Sequence, residues 1–313
     1  MNSHDRTKAM VESALITALA VVFALAGIYI PLLGYALFFL PVPFIIIGAK
    51  HGIKYNILAI IAASVIIGSM TEPLRVLFII IVVGFNSVVI GYMVEKNQPV
   101  GRTMFFGSIA SIVASILSIA FVSYLANANV VKMIEDTFTI SNEIYESLFK
   151  NMGSDPEKIQ EAKQLIDHAK NMAIMLLPSS VIFASVAATY INYLASGAIL
   201  RRMGYTINKP KRFSYFRLPK NILMGTGIIL ILTYFIKSMN IVDYETLFSN
   251  VLYIFFIVYL IQGLAVTSFF MEKKGIGRAV KIIIIFIILT IPSAAMILMF
   301  LGLADVVFNI RKL

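Results

Sequence analysis

The chain has 313 residues, of which 59% are hydrophobic and only 13% charged, and it carries a formal net charge of +10. A soluble protein of this size must cover its surface with polar groups, so a soluble fold is excluded and the chain reads as an all-α integral membrane protein. Cysteine is absent and the three histidines, His4, His51 and His168, are far apart, which excludes disulfides, thiolate chemistry and multi-His metal sites.

A helix crosses the hydrocarbon core in about 20 apolar residues. In chain order the predicted spans cover residues 12–29, 35–49, 52–68, 73–94, 103–125, 173–200, 222–236, 247–270 and 279–301. The second is short and interrupted by Pro41 and Pro43, and residues 31–34 supply a turn before it. The last contains Pro292, so the expectation is nine spans, or eight plus a C-terminal re-entrant hairpin. Residues 1–200 form a six-helix membrane region, 201–220 a basic loop, and 221–313 a C-terminal region of about three helices.

Basic residues favour the cytoplasmic side of a bacterial membrane. With a cytoplasmic N-terminus, 17 of the 26 Lys and Arg fall on the inside, seven of them between Arg201 and Lys220. The net positive charge therefore records orientation in the cytoplasmic membrane and does not point to nucleic acid.

Between the fifth and sixth spans, residues 127–172 form an extracytoplasmic amphipathic helical hairpin, a lid or a docking arm. Val131, Ile134, Phe138, Ser141, Tyr145, Leu148 and Met152 fall at helical spacing. Gly153 stops that helix, and Ser154-Asp155-Pro156-Glu157 opens the next with a capping residue and an early proline. The inner loop interleaves Arg201, Arg202, Lys211, Arg212, Arg217 and Lys220 with Phe213, Tyr215 and Phe216. Cations with rings between them suit anionic headgroups or a docked partner.

The middles of the spans are nearly empty of titratable residues, which argues against proton relays and ion channels. No nucleotide-binding loop, nucleophile elbow or zinc-protease motif appears, so no catalytic residue, cofactor or metal is expected and the chain is not read as an enzyme. What remains is polar and uncharged: Asn86, Asn192 and Gln262, with Ser108, Ser111, Ser115 and Ser118 at helical spacing. An amide in hydrocarbon must find a partner, on another helix or on a ligand. At the outer mouth, Thr71-Glu72-Pro73-Leu74-Arg75 opens the fourth span. Glu72 and Arg75 are either a local helix-start pair or anchors for a solute.

Residues 12–200 resemble the substrate-binding S-components of energy-coupling-factor transporters. The resemblance rests on Ala14-Leu-Ile-Thr-Ala18, on Ile30-Pro31-Leu-Leu-Gly34, and on the run from Phe39-Leu-Pro-Val-Pro-Phe44 to Lys50-His51-Gly52. It implies six helices, an outward-opening solute site, and contact of Ala14 and Ala18 with a membrane partner that couples to an ATPase module. The whole chain resembles the YybS-like bacterial multi-pass membrane proteins, a family of unknown function. The residues that carry this are Leu176-Leu-Pro178, Leu200-Arg-Arg-Met-Gly204, Phe216-Arg-Leu-Pro219, Gln262-Gly263 and Gly302-Leu-Ala-Asp305. The leading expectation is a binding or transport subunit for a small hydrophilic solute, lacking its own ATPase. Glu72, Arg75 and Asn86 would be its polar contacts. The alternative is a membrane scaffold or regulatory protein that docks partners or anionic lipid through the basic loop.

Overall fold

The structure is a computed structural model and describes residues 3–125, 129–151, 155–237 and 243–313. All regular elements among the described residues are helical. In hydrocarbon a backbone N–H or C=O has no water to bond, and a helix closes those bonds within itself. The chain divides into two compact units, Met1–Ile144 with Val181–Lys209, and Tyr145–Ser180 with Pro210–Leu313.

The first unit begins with α1 (Ser3–Tyr29), a 3-10 helix (Pro31–Phe39), α2 (Pro41–His51) and α3 (Ile53–Met70). The predicted second span is thus a 3-10 segment joined to an α-helix. Pro41 occupies the first turn of α2, where no backbone donor is needed, and Gly52 (φ 91°) makes the tight turn into α3. The fourth predicted span is α4 (Leu74–Ile79), a π-helical turn (Ile80–Gly84) and α5 (Phe85–Glu95), followed by α6 (Val100–Leu125). Most of α9 (Leu177–Arg202) completes the unit.

Ala20, Ala24, Phe44, Ile47, Ala63 and Ile67 are buried together at the core. Helices α2 and α5 meet at Gly48 and Gly91. A Cβ on Gly48 would lie 3.2 Å from the Gly91 Cα and 2.6 Å from Asn56 Nδ2. Asn56 fits between them by donating to the Ser87 carbonyl at 3.2 Å. At the basic end of the unit, Glu12 accepts from Lys50 Nζ at 2.8 Å and lies 3.0 Å from His51 Nε2, tying α1 to α2. Ala14 and Ala18 fall on the opposite, exposed face of α1, beside Leu15 and Leu19.

The insert contains α7 (Val130–Asn151) and α8 (Pro156–Met175). Along α7 the predicted stripe of Val131, Ile134 and Phe138 is half-buried, while Ile140, Ile144 and Leu148 are exposed. Asp155 caps α8 by accepting from Glu157 N at 3.2 Å. The expected Met152 contact, Gly153 stop and Ser154 cap lie outside the described residues.

The second unit adds α10 (Asn221–Ile236), α11 (Tyr244–Lys273), α12 (Arg278–Thr290) and α13 (Pro292–Phe308) to α8. The break between α8 and α9 falls at Leu176, next to Pro178, which has no N–H. Asn250 bridges it, donating to the Met175 carbonyl at 2.7 Å and accepting from Ser179 N at 2.9 Å. Asp243 caps α11 through the Thr246 hydroxyl and the Thr246 N–H, and these bonds hold its carboxyl below the ordinary carboxylate range. Helices α11 and α13 cross in backbone contact. A Cβ on Gly263 would lie 1.8 Å from the Leu298 carbonyl oxygen, and one on Gly302 2.0 Å from that of Tyr259.

Among the described residues, seven helices or helix runs are long and apolar enough to cross a membrane, and an eighth counts if the bent α12–α13 pair is one span. Helix α10, with 16 residues, is shorter than these; at 1.5 Å per residue it reaches about 24 Å against a hydrocarbon core of about 30 Å. The expected last span is not straight. Helices α12 and α13 bend by 110° at Ile291, where Pro292 removes the donor that would continue the helix. As a result Arg311 meets the 210–220 loop: its Nη1 donates to the Ser214 carbonyl at 2.6 Å.

Candidate functional site

Three helices of the first unit turn small residues toward one another. Val82, Val83 and Asn86 come from the π-turn and α5. Ser111, Ala114 and Ser115 come from α6, and Ala184, Ser185, Ala188 and Asn192 from α9. Each set repeats at three to four residues, one face of a helix. With side chains no larger than Val or Asn, the three faces do not fill the space between them. Closed further by Leu37, Phe38 and Pro41, they leave a cavity of about 290 Å³, near the low end of small-molecule sites, which run from about 300 to 1,000 Å³.

The π-turn sits beside the cavity. Its hydrogen bonds skip one residue more than those of an α-helix, so it shifts the register of the side chains that follow. Asn86 comes two residues after it and is 4% exposed. Its Nδ2 donates to the hydroxyl of Ser111 and, at 3.2 Å, to that of Thr189. Ser111 and Thr189 are 2.9 Å apart, and Ser115 and Ser185 pair at 3.2 Å one turn along the same helices. Gly107 admits Thr189: a Cβ there would lie 2.7 Å from its methyl carbon.

The site is defined by what these bonds leave over. Among the described residues, the side-chain oxygens of Asn86 and Asn192 are both buried without a hydrogen-bond partner, and both residues line the cavity. An amide can turn so that its nitrogen faces inward instead, but one half of the Asn86 group still lacks a partner. An unpaired buried polar atom costs roughly 1–3 kcal/mol, and a ligand that supplies the missing bond recovers it. Asn56 Oδ1 is also buried and unpaired, but it lies at the α2–α5 contact and does not line the cavity.

The predicted contacts divide. Asn86 is in the cavity wall. Glu72 and Arg75 are not in its lining: they face each other at 3.7 Å as an i, i+3 pair at the start of α4, with Arg75 42% and Glu72 70% exposed. Ser111 and Ser115, two of the serines at helical spacing on the fifth predicted span, supply hydroxyls to the wall. Thr189 and Ser185 were missed, although Ser185, Thr189, Asn192 and Ser196 form a legible small polar stripe along α9. The predicted docking loop is split between the units. Arg201 and Arg202 end α9 in the first, whereas Lys211, Arg212, Arg217 and Lys220 belong to the second.

A second buried polar cluster lies in the second unit. Arg311 and Asp305 form an ion pair at 2.9 Å, their side chains 0% and 2% exposed. Arg311 also donates to the carbonyls of Ser214 and Phe216 at 2.6 and 2.7 Å. Asp305 accepts from the Arg311 backbone N at 3.1 Å and from Gln262 Nε2 at 2.7 Å. Gln262 Oε1 accepts from Leu218 N at 3.0 Å. The expectation for Gln262, an interhelical partner, is met by α13 and the loop together.

Residues 18–306 match the family described as "Predicted membrane protein (DUF2232)". The chain belongs to this family. It is also similar to "Uncharacterized protein YybS" of Bacillus subtilis (strain 168), at 23% identity over 317 residues covering 98% of each chain. No solved structure matches it. Family membership and the helices together make this a multi-pass membrane protein.

Proposed function

We propose that the first unit binds a small, uncharged, hydrogen-bond-donating solute in the cavity walled by α5, α6 and α9. The chain then acts as a binding or transport subunit of the bacterial cytoplasmic membrane, with its N-terminus inside. The supporting observation is the pair of buried, unpartnered amide oxygens of Asn86 and Asn192, on two of the helices that line the cavity. Among the described residues, no Asp, Glu, Lys, Arg or His lines the cavity. A charged solute would lose several kcal/mol of hydration there with no countercharge to offset it. A neutral molecule with one apolar side and one or two N–H or O–H groups fits the wall.

The role we assign is binding and passage, not catalysis. The sequence holds no nucleotide-binding motif, so energy would come from a partner such as an ATPase module. The exposed face of α1 that carries Ala14 and Ala18 is the contact we assign to it. Native mass spectrometry of gently purified protein tests the reading. The expected result is a small neutral adduct on the wild type that is missing from Asn192→Leu. An empty wild-type protein, or an adduct that survives the substitution, would contradict it.

A further inference from the structure

Of the basic loop, Lys211, Arg212 and Arg217 surround a depression of about 510 Å³, together with Tyr215 and Leu313. Lys211 and Arg212 are exposed, and among the described residues neither forms an ion pair. Arg217 Nη1 donates to the Leu313 carbonyl, which holds its guanidinium at the rim. The neighbouring Glu272 carboxylate is already engaged by Ser214 Oγ at 2.7 Å and Lys281 Nζ at 2.6 Å.

The depression is built on a fixed frame. The Arg311 guanidinium holds the carbonyls of Ser214 and Phe216, and Gln262 holds the N–H of Leu218. The backbone that carries the three bases is therefore anchored before any anion arrives, and less ordering entropy is lost on binding.

Phe213, Tyr215 and Phe216 on the same short segment are 40%, 47% and 38% exposed, and the rings of Phe213 and Phe216 stack at 6.4 Å. Rings that wedge below cations are the arrangement of a lipid interface. A soluble acidic partner would meet the cations but would not need the three exposed rings beside them.

We infer that Lys211, Arg212 and Arg217 form a site for the phosphate headgroup of an anionic lipid, held ready by the buried Arg311–Asp305 pair. The test uses the full chain in mild detergent with equal amounts of phosphatidylglycerol and phosphatidylcholine, and native mass spectrometry reads the retained lipid. The wild type should retain phosphatidylglycerol preferentially, and inorganic phosphate in large excess should not displace it. Neutralising one base should weaken the preference about fivefold, and Lys211→Gln/Arg212→Gln/Arg217→Gln should weaken it on the order of a hundredfold. Lys211→Gln/Arg212→Gln leaves the Arg217–Leu313 bond in place and should lose its own share, which separates a lost headgroup site from a disturbed fold. Equal retention of the two lipids, or an unchanged preference in the triple variant, overturns the inference. So does displacement by phosphate alone, which would indicate a free anion as ligand, or by an acidic peptide, which would indicate a protein partner.

Discussion

The two units each bury a polar cluster in an apolar helix bundle, and the clusters differ in how fully their hydrogen bonds are made. In the second unit Asp305 and Arg311 hold formal charges, yet their side-chain groups and the neutral Gln262 amide are engaged by one another or by loop backbone. In the first, Asn86 and Asn192 are neutral, yet each has a buried oxygen without a partner among the described residues. A saturated cluster fixes geometry, and an unsaturated one beside a cavity has chemistry left for a ligand. In hydrocarbon this distinction separates structure from function better than charge does, because water is not available to complete an unfinished set.

The largest effect is expected at Arg311. Arg311→Leu strands the buried Asp305 carboxylate and should lower stability by about 3–5 kcal/mol, read by thermal unfolding in detergent. Asp305→Leu/Arg311→Leu should recover most of that loss. Equal losses in the single and double variants would mean that the pair is not a unit. Next in size is Gly263→Ala, which forces α11 off α13 and should cost about 1–3 kcal/mol by overpacking, without changing solute binding.

In the first unit the two amides should behave differently. Asn86→Leu breaks bonds to Ser111 and Thr189 and should cost about 0.6–2 kcal/mol. Asn192→Leu removes an unpaired acceptor and should leave the melting temperature unchanged or higher. Both should lose solute, by tenfold or more if one hydrogen bond of about 1.4 kcal/mol is lost. The smallest effect belongs to the exposed pair at the start of α4. Glu72→Gln and Arg75→Gln should each change stability by less than about 1 kcal/mol and leave solute retention intact. A strong loss of solute in either would return that pair to the site.

Much of the fold was legible because a bilayer imposes length and hydrophobicity on every crossing helix, and the apolar runs show both. The basic loop and the Pro292 break were legible for similar reasons, since charge and a missing donor act locally. The π-turn at Ile80–Gly84 was not, because five apolar residues carry no local mark of an altered hydrogen-bond register. Asn86 stood out in the sequence as an amide in hydrocarbon. Its partner Thr189 is 103 residues away, so whether its bonds are complete is a property of the packed bundle. Arg311 was one of 26 Lys and Arg in the sequence, with no local mark to set it apart. Its partners at Ser214 and Phe216, 97 and 95 residues distant, become visible only once α12 and α13 have bent.

The central claim is that the amides of Asn86 and Asn192 are completed by a solute. An experimental density map of the protein purified from its native membrane tests this most directly. The account predicts a compact non-protein density in the cavity, within about 3.2 Å of both amide groups and absent from Asn86→Leu/Asn192→Leu. A cavity holding only water, or an acyl chain that touches neither amide, would contradict it.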